Sequence, residues 1–354
     1  MITASHNPIE YNGFKIFDAK GESLEDSSVL RDRSKEEQER AHEKGLIQAG
    51  ETLDYARLLS SIQLDKKWRV ILDPGNGATA QLAPRIYQTV VANATAINSH
   101  PDGRYPGRGP EPTRESLPTL SRIVSESKAD MGIAFDGDGD RFYIVDEKGR
   151  CPLQDRILAS YLSFLARDSK GPFLVPVDAS MAVDEAVARY GARLVRGPVG
   201  DAKLLGEMKR EKASFAGEPS GAWIHSNFHP CPDGLLSGLL YLRQLEQLGL
   251  TASAAVDAIP EYSIVRKSVS VPKSLPDADV KLLSEGLETI IGKEAQIDSR
   301  FGVRVSSEDS WVLVRESGTE PVVRVTVESK SPSVANRIVR DTIGLINRVF
   351  KGRI

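Results

Sequence analysis

The chain has 354 residues, 40% hydrophobic and 27% charged, with a net charge of −3 and two cysteines. Its length suggests about two to four domains, and the near-neutral balance leaves no footprint for nucleic acid or an anionic membrane surface. No apolar run reaches transmembrane length, the N-terminus lacks a signal peptide's regions, and Cys151 and Cys231 form neither a disulfide framework nor metal-site spacing, so a reducing cytoplasm is the expected setting.

In chain order, Met1 to Pro8 reads as a strand end turning into a polar loop. Ser5, His6 and Asn7 before Pro8 bring a hydroxyl, an imidazole and an amide close together, and the Asn12-Gly13-Phe14-Lys15 turn returns a lysine towards the same place. A simple turn is the competing reading. Residues 20–50 are mostly charged and predict a solvated helix with little apolar face.

From Trp68 the pattern changes to short apolar strands alternating with amphipathic helices. A strand over 70–72 leads into the Asp73-Pro74-Gly75-Asn76-Gly77 turn, with a helix from about residue 78, a strand near 94–97 and a helix near 115–125. This is the rhythm of a layered sheet with helices on its faces.

Between two further strands stands Asp136-Gly137-Asp138-Gly139-Asp140-Arg141. Three carboxylates on a tight glycine turn repel unless a cation sits among them. Mg²⁺ suits them, because it takes oxygen ligands from a few carboxylates and keeps positions open for phosphate. An acidic surface turn is one alternative. An EF-hand is another: Asp136, Asp138, Asp140 and Glu147 fall at its positions one, three, five and twelve. However, Arg141 occupies the position that requires glycine, and the flanks read as strands.

After a helix over 155–166 the rhythm repeats: a strand over 173–175 enters an Asp178-Ala179-Ser180 turn and a helix follows, suggesting an internal duplication. The loop Gly217-Glu218-Pro219-Ser220-Gly221, after a strand over 213–216, offers a carboxylate and a hydroxyl suited to sugar hydroxyls; an exposed hairpin loop fits as well. An apolar helix spans 235–248. Strands over 264–271, 311–314 and 322–327 and helices over 277–291 and up to about residue 350 complete an α+β end. Its loop, Arg315 to Pro321, combines with Arg324 into an anion site in which guanidinium forks and open backbone N–H groups suit a phosphate. A salt-bridged hairpin is the competing reading.

The four loops together resemble the α-D-phosphohexomutase family. Thr3 to Pro8, Asp136 to Arg141, Gly217 to Gly221 and Arg315 to Pro321 match that family's motifs in order, from Met1 to the C-terminus. The resemblance implies a multi-domain α/β fold, with layered mixed sheets, helices on both faces and a C-terminal α+β domain. The four domains, around a cleft, would cover 1–65, 66–168, 169–260 and 261–354, the last of them mobile.

It implies further that Ser5 is the phosphorylated catalytic residue. Mg²⁺ would lie on Asp136, Asp138, Asp140 and the Ser5 phosphate, with His6, Lys15 and Arg141 stabilising charge or moving protons. Glu218 and Ser220 would grip the sugar, and Arg315, Ser317, Gly318, Thr319 and Arg324 would hold the phosphate that is not reacting. A hexose 6-phosphate and a hexose 1-phosphate would interconvert through a 1,6-bisphosphate, which also serves as activator, in a monomer or homodimer.

Members of the family carry most of a first domain before the serine loop, where this chain begins, so a shortened first domain is expected. Many also have a histidine after the sugar loop; Ala222 stands there here, with His225 and His229 nearby. The run from Gly221 to Gly234 is similar to archaeal-type phosphoglucosamine mutases, ahead of phosphoglucomutases and phosphomannomutases. A non-catalytic sugar-phosphate-binding remnant is the alternative from a different class.

Overall fold

The computed structural model describes residues 1–18, 20–23, 55–59, 61–271, 277–292, 294–317 and 322–350. The helix expected over 20–50 lies almost wholly outside them. The chain divides into two compact units, the first comprising residues 1–152, 201–206 and 220–255, the second 153–200, 207–219 and 256–354.

The first unit is built on a four-stranded sheet in the order β2-β1-β3-β4, from β1 (Arg69–Asp73), β2 (Asn93–Ala96), β3 (Met131–Phe135) and β4 (Phe142–Asp146). β1 pairs in parallel with β2 and β3, and β3 pairs antiparallel with β4. All of β3 and all but the first residue of β1 are buried, the signature of central strands covered on both faces. One layer comes from α3 (Pro118–Ser127), whose Leu120 and Val124 pack with Ile71, Ala134 and Val145. Burying each such aliphatic side chain contributes about 1.5–3 kcal/mol. α1 (Tyr55–Leu59) and α2 (Leu82–Val90) precede β1 and β2 respectively. Residues 78–81, expected to open a helix, form turns instead, and α2 begins only after Gln81.

Because Phe135 pairs with Phe142, residues 136–141 form a tight connection beyond the carboxyl end of β3. That end lies beside the carboxyl end of β1, where Asp73 pairs with Ala134. The carboxyl edge of parallel strands is where open α/β sheets bind ligands. Gly77 is required there: a Cβ on it would lie 2.5 Å from the Gly137 carbonyl oxygen, which accepts from Ala78 N at 2.8 Å.

The second unit contains two sheets. In one, β5 (Phe173–Pro176), entirely buried, pairs in parallel with β6 (Leu194–Gly197) and β7 (Phe215–Gly217), and α4 (Gln154–Asp168) and α5 (Ala182–Ala188) belong to the same layered element. α6 (Asp201–Glu211) runs between β6 and β7.

The other sheet runs β10-β11-β12-β13-β9, from β9 (Ser263–Ser270), β10 (Gln296–Asp298), β11 (Val303–Ser306), β12 (Ser310–Glu316) and β13 (Val322–Ser329), all antiparallel. Alternation sorts its side chains. Val312, Val314, Val323, Val325 and Val327 face a core shared with Leu283 of α9 (Asp277–Ile291) and Ile338 of α10 (Pro332–Val349). The intervening positions, including Arg304, Trp311, Arg315, Arg324 and Glu328, therefore share the opposite face. On that face Glu328, fully buried, accepts from Trp311 Nε1 at 2.6 Å, Met181 N at 2.7 Å and the Ser180 hydroxyl, which ties the loop after β5 to β13.

Within the first unit, β8 (Trp223–His225) precedes α7 (Gly234–Leu248), and α8 (Ala252–Asp257) follows. Asp233 caps α7, its Oδ1 accepting from Leu236 N at 2.9 Å. Among the described residues no helix is long and apolar enough to cross a membrane.

Candidate active site

Met1 to Thr3 pairs with Gly13 to Lys15 as a small hairpin: Ile2 bridges Phe14, Thr3 N donates to Gly13 O at 3.0 Å and Lys15 N to Met1 O at 2.9 Å. The chain between is a polar loop in which Asn7 N donates to Ala4 O at 3.0 Å and Ser5 takes the left-handed conformation, φ 53°. A non-glycine residue holds that conformation only where its surroundings over-determine it, at about 1 kcal/mol or more.

The surroundings are the aspartate loop. Ser5 Oγ donates to Asp136 Oδ2 at 3.0 Å and lies 3.2 Å from His6 Nδ1. Thr3 Oγ1 donates to Asp138 Oδ2 at 2.8 Å while accepting from Ser5 N at 2.8 Å. A Cβ on Gly137 would fall 2.2 Å from the Ser5 carbonyl oxygen, so only glycine admits this approach. Lys15 Nζ donates to Asp140, lies 3.3 Å from Asp138 and reaches 4.0 Å from Asp201. Arg141 Nε is 3.8 Å from Asp140 and 4.0 Å from Asp136.

Ser5, His6, Lys15, Asp136, Asp138, Asp140 and Arg141 thus converge in the first unit. Thr3, the first residue of the serine-loop motif, joins them, as do Asp201 and Tyr105, whose hydroxyl stands 3.0 Å from where a Gly137 Cβ would be; the sequence singled out neither of these two.

The charges are strained. Burial, then Asp140 and Asp138, push the Asp136 carboxyl up to about 8. Burial and then Asp138 raise Asp140 as well. At Asp138 burial is outweighed by Lys15 and the Thr3 hydroxyl, and its carboxyl sits below the usual range. At Lys15 burial is outweighed by Asp140 and Asp138, and its ammonium is held charged. His6 is lowered by burial and then by Arg141, which favours a neutral imidazole.

Carboxylate oxygens of the three aspartates lie within 4.8 Å of one another, and Asp138 Oδ1 and Asp140 Oδ1 are buried with no hydrogen-bond partner among the described residues. Orphaned hard-oxygen donors around one point fit a divalent cation. A cavity of about 230 Å³ adjoins them, lined by Lys15, Tyr55, Asp138, Asp140, Cys231 and Asp233 among others.

In the second unit, Glu218 is buried and its Oε1 accepts from Gly200 N at 2.7 Å. Ser220 belongs to the first unit. Arg315 on β12 stands directly opposite Arg324 on β13, both on the face turned away from α9 and α10. Like charges directly opposite across strands repel, an arrangement that suits an anion between them. Arg315 NH2 is 3.6 Å from Asp178 Oδ2, and Ser317 N donates to Val322 O at 3.0 Å, closing the hairpin. Gly318 and Thr319 lie outside the described residues. His225 is buried, its Nε2 3.1 Å from Ser237 Oγ.

Profiles of the phosphoglucomutase/phosphomannomutase family match the chain in four consecutive parts. Alpha/beta/alpha domain I covers residues 1–41, domain II 53–149, domain III 154–262 and the C-terminal domain 274–345. The phosphoglucosamine mutase of Methanococcus vannielii is 35% identical, over 98% of this chain and 80% of its own length. The chain belongs to this family.

It is therefore an enzyme, a hexose-phosphate mutase. The phosphoglucosamine mutase of Methanococcus maripaludis is 33% identical over the whole chain and 81% of its own length. Among solved structures, a phosphoglucomutase/phosphomannomutase family protein of Burkholderia thailandensis shares the fold with a TM-score of 0.81 at 24% identity, over 100% of this chain and 76% of that one. The Aspergillus fumigatus N-acetylphosphoglucosamine mutase, solved with GlcNAc-6P and magnesium, has a TM-score of 0.71 at 18% identity, over 99% and 89% of the two chains.

Proposed function

We propose that the chain is a phosphoglucosamine mutase that moves a phosphoryl group between the 6- and 1-positions of the sugar by way of Ser5 and a 1,6-bisphosphate. The observation that carries this reading is the placement of Ser5 Oγ, held on a left-handed residue 3.0 Å from Asp136 and 3.2 Å from His6 Nδ1. The phosphoglucosamine mutases among its relatives support the choice of sugar.

In this reading the Ser5 phosphoryl passes to a sugar hydroxyl: the serine O–P bond breaks as the sugar O–P bond forms, and the hydroxyl's proton ends on the released Ser5 Oγ. In the reverse step Ser5 Oγ attacks, and the neutral His6 imidazole takes its proton. Lys15 and Arg141 offset the charge that develops around the transferring group. Asp136, Asp138 and Asp140 would hold Mg²⁺, which when bound neutralises phosphate charge. Glu218 and Ser220 grip sugar hydroxyls, while Arg315, Ser317, Gly318, Thr319 and Arg324 fix the phosphate at the far end. The four-domain division at residues 65, 168 and 260 belongs to the same proposal.

The test is a panel assay of purified chain with Mg²⁺ and catalytic hexose 1,6-bisphosphate on the 6-phosphates of glucosamine, glucose and mannose. The highest kcat/KM on glucosamine 6-phosphate is expected. A preference for glucose or mannose 6-phosphate contradicts the choice of sugar, and turnover of none contradicts the mutase mechanism.

A further inference from the structure

The first unit carries a second cluster of titratable groups, to which the mutase reading gives no role. In the loop between β8 and α7, Cys231 Sγ lies 3.2 Å from His229 Nδ1. The other ring nitrogen, Nε2, lies 2.8 Å from Asp233 Oδ2. Asp233 is itself fixed, since its Oδ1 caps α7 through Leu236 N at 2.9 Å and its Oδ2 also accepts from the Tyr55 hydroxyl. The result is a thiol, an imidazole and a carboxylate in line.

Capping α7 requires Asp233 alone, so the cap does not account for the other two groups. Burial opposes a charged His229, but the Asp233 and Cys231 hydrogen bonds outweigh it and push the imidazole up to about 10. An imidazolium uses both protons here, one towards Asp233 and one towards sulfur. Cys231 sits between Pro230 and Pro232, whose rings fix the backbone on either side. It precedes by two residues the N-cap of the 15-residue helix α7, whose positive end favours an anion. The thiol is half-buried and lines the cavity described above, which gives small molecules a way in. Cys151, the other free cysteine, is a built-in contrast: its sulfur lies 3.4 Å from the Ser121 hydroxyl, and burial pushes its thiol up.

We propose that Cys231 is a site of oxidation by hydrogen peroxide, its proton passing to His229, which Asp233 orients. The Cys231 thiolate attacks one peroxide oxygen, an S–O bond forms and the O–O bond breaks. Sulfur is oxidised to a sulfenic acid and peroxide is reduced. The departing hydroxide takes the His229 Nδ1 proton and leaves as water, so that thiol and peroxide give sulfenic acid and water.

The experiment exposes the reduced full chain to limiting hydrogen peroxide with dimedone present and follows each cysteine peptide by mass. Cys231 is expected to label at least about tenfold faster than Cys151 in the same molecules. In H229Q that advantage should disappear. Equal rates at the two cysteines of the parent chain overturn the proposal. Undiminished labelling of Cys231 in a folded H229Q overturns the activation by His229. The ratio within the parent chain needs no variant, and its failure leaves the mutase reading untouched.

Discussion

Ser5 Oγ donates to Asp136 Oδ2 at 3.0 Å although 131 residues separate the two in sequence. The bond joins the hydroxyl proposed as nucleophile to the loop proposed to hold the metal. Replacing Ser5 with alanine removes that hydroxyl and its bond to Asp136 but leaves the backbone bonds of the hairpin in place. S5A is expected to melt as a folded chain within a few degrees of the parent and to lose at least about three orders of magnitude in kcat. A coupled mutase assay beside a thermal melt checks both halves.

Asp138 Oδ1 and Asp140 Oδ1 are buried without hydrogen bonds from any described residue. A cation that relieves them binds the folded chain alone and stabilises it by mass action. Added Mg²⁺ should raise the melting temperature of chelator-treated parent by a few degrees and restore its turnover, with neither effect in D140N. Differential scanning fluorimetry with and without chelator measures the shift.

Arg315 faces Arg324 across β12 and β13. If the pair holds the phosphate remote from the reaction, R315A loses charge-assisted bonds worth about 1.5–3 kcal/mol. KM for the sugar phosphate should then rise about 10- to 100-fold. R315K should recover only part of this, since an ammonium cannot form the bidentate fork. Steady-state kinetics on the two variants decides.

His225 is buried beside Ser237, and burial lowers its imidazole to about 3 from an ordinary 6.5. Between those values the unfolded chain binds a proton that the folded chain does not, so stability is full above about pH 6.5 and is lost as pH falls towards 3. By pH 5 the loss from this one group is on the order of 2 kcal/mol. Urea denaturation at pH 7 and pH 5 should show a smaller acid loss in H225Q than in the parent.

Glu328 accepts three hydrogen bonds while fully buried. E328A leaves the buried Trp311 Nε1 and Met181 N donors without their acceptor, at a cost of about 1–3 kcal/mol. A lowered urea midpoint is expected, while E308Q, on an exposed residue, should leave the midpoint in place.

The aspartate loop and its flanking strands were legible because the glycines and the apolar runs are local signals. The regular alternation of Val322 to Val327 likewise announced β13. Helix α2 was placed too early because residues 78–81 look permissive, whereas the chain spends them in turns that seat Gly77 against Gly137. Strands β10 and β11 went unread: they are three and four residues long, too short to show a period. Tyr105 and Asp201 reach their partners from distant sequence, so no local pattern marks them.

The most direct test of the central claim is the intact mass of the purified chain before and after incubation with Mg²⁺ and a hexose 1,6-bisphosphate, with S5A alongside. One phosphoryl group on the parent and none on S5A is the predicted result. A parent chain that stays unmodified, or an S5A chain that gains the group equally, contradicts the assignment of Ser5.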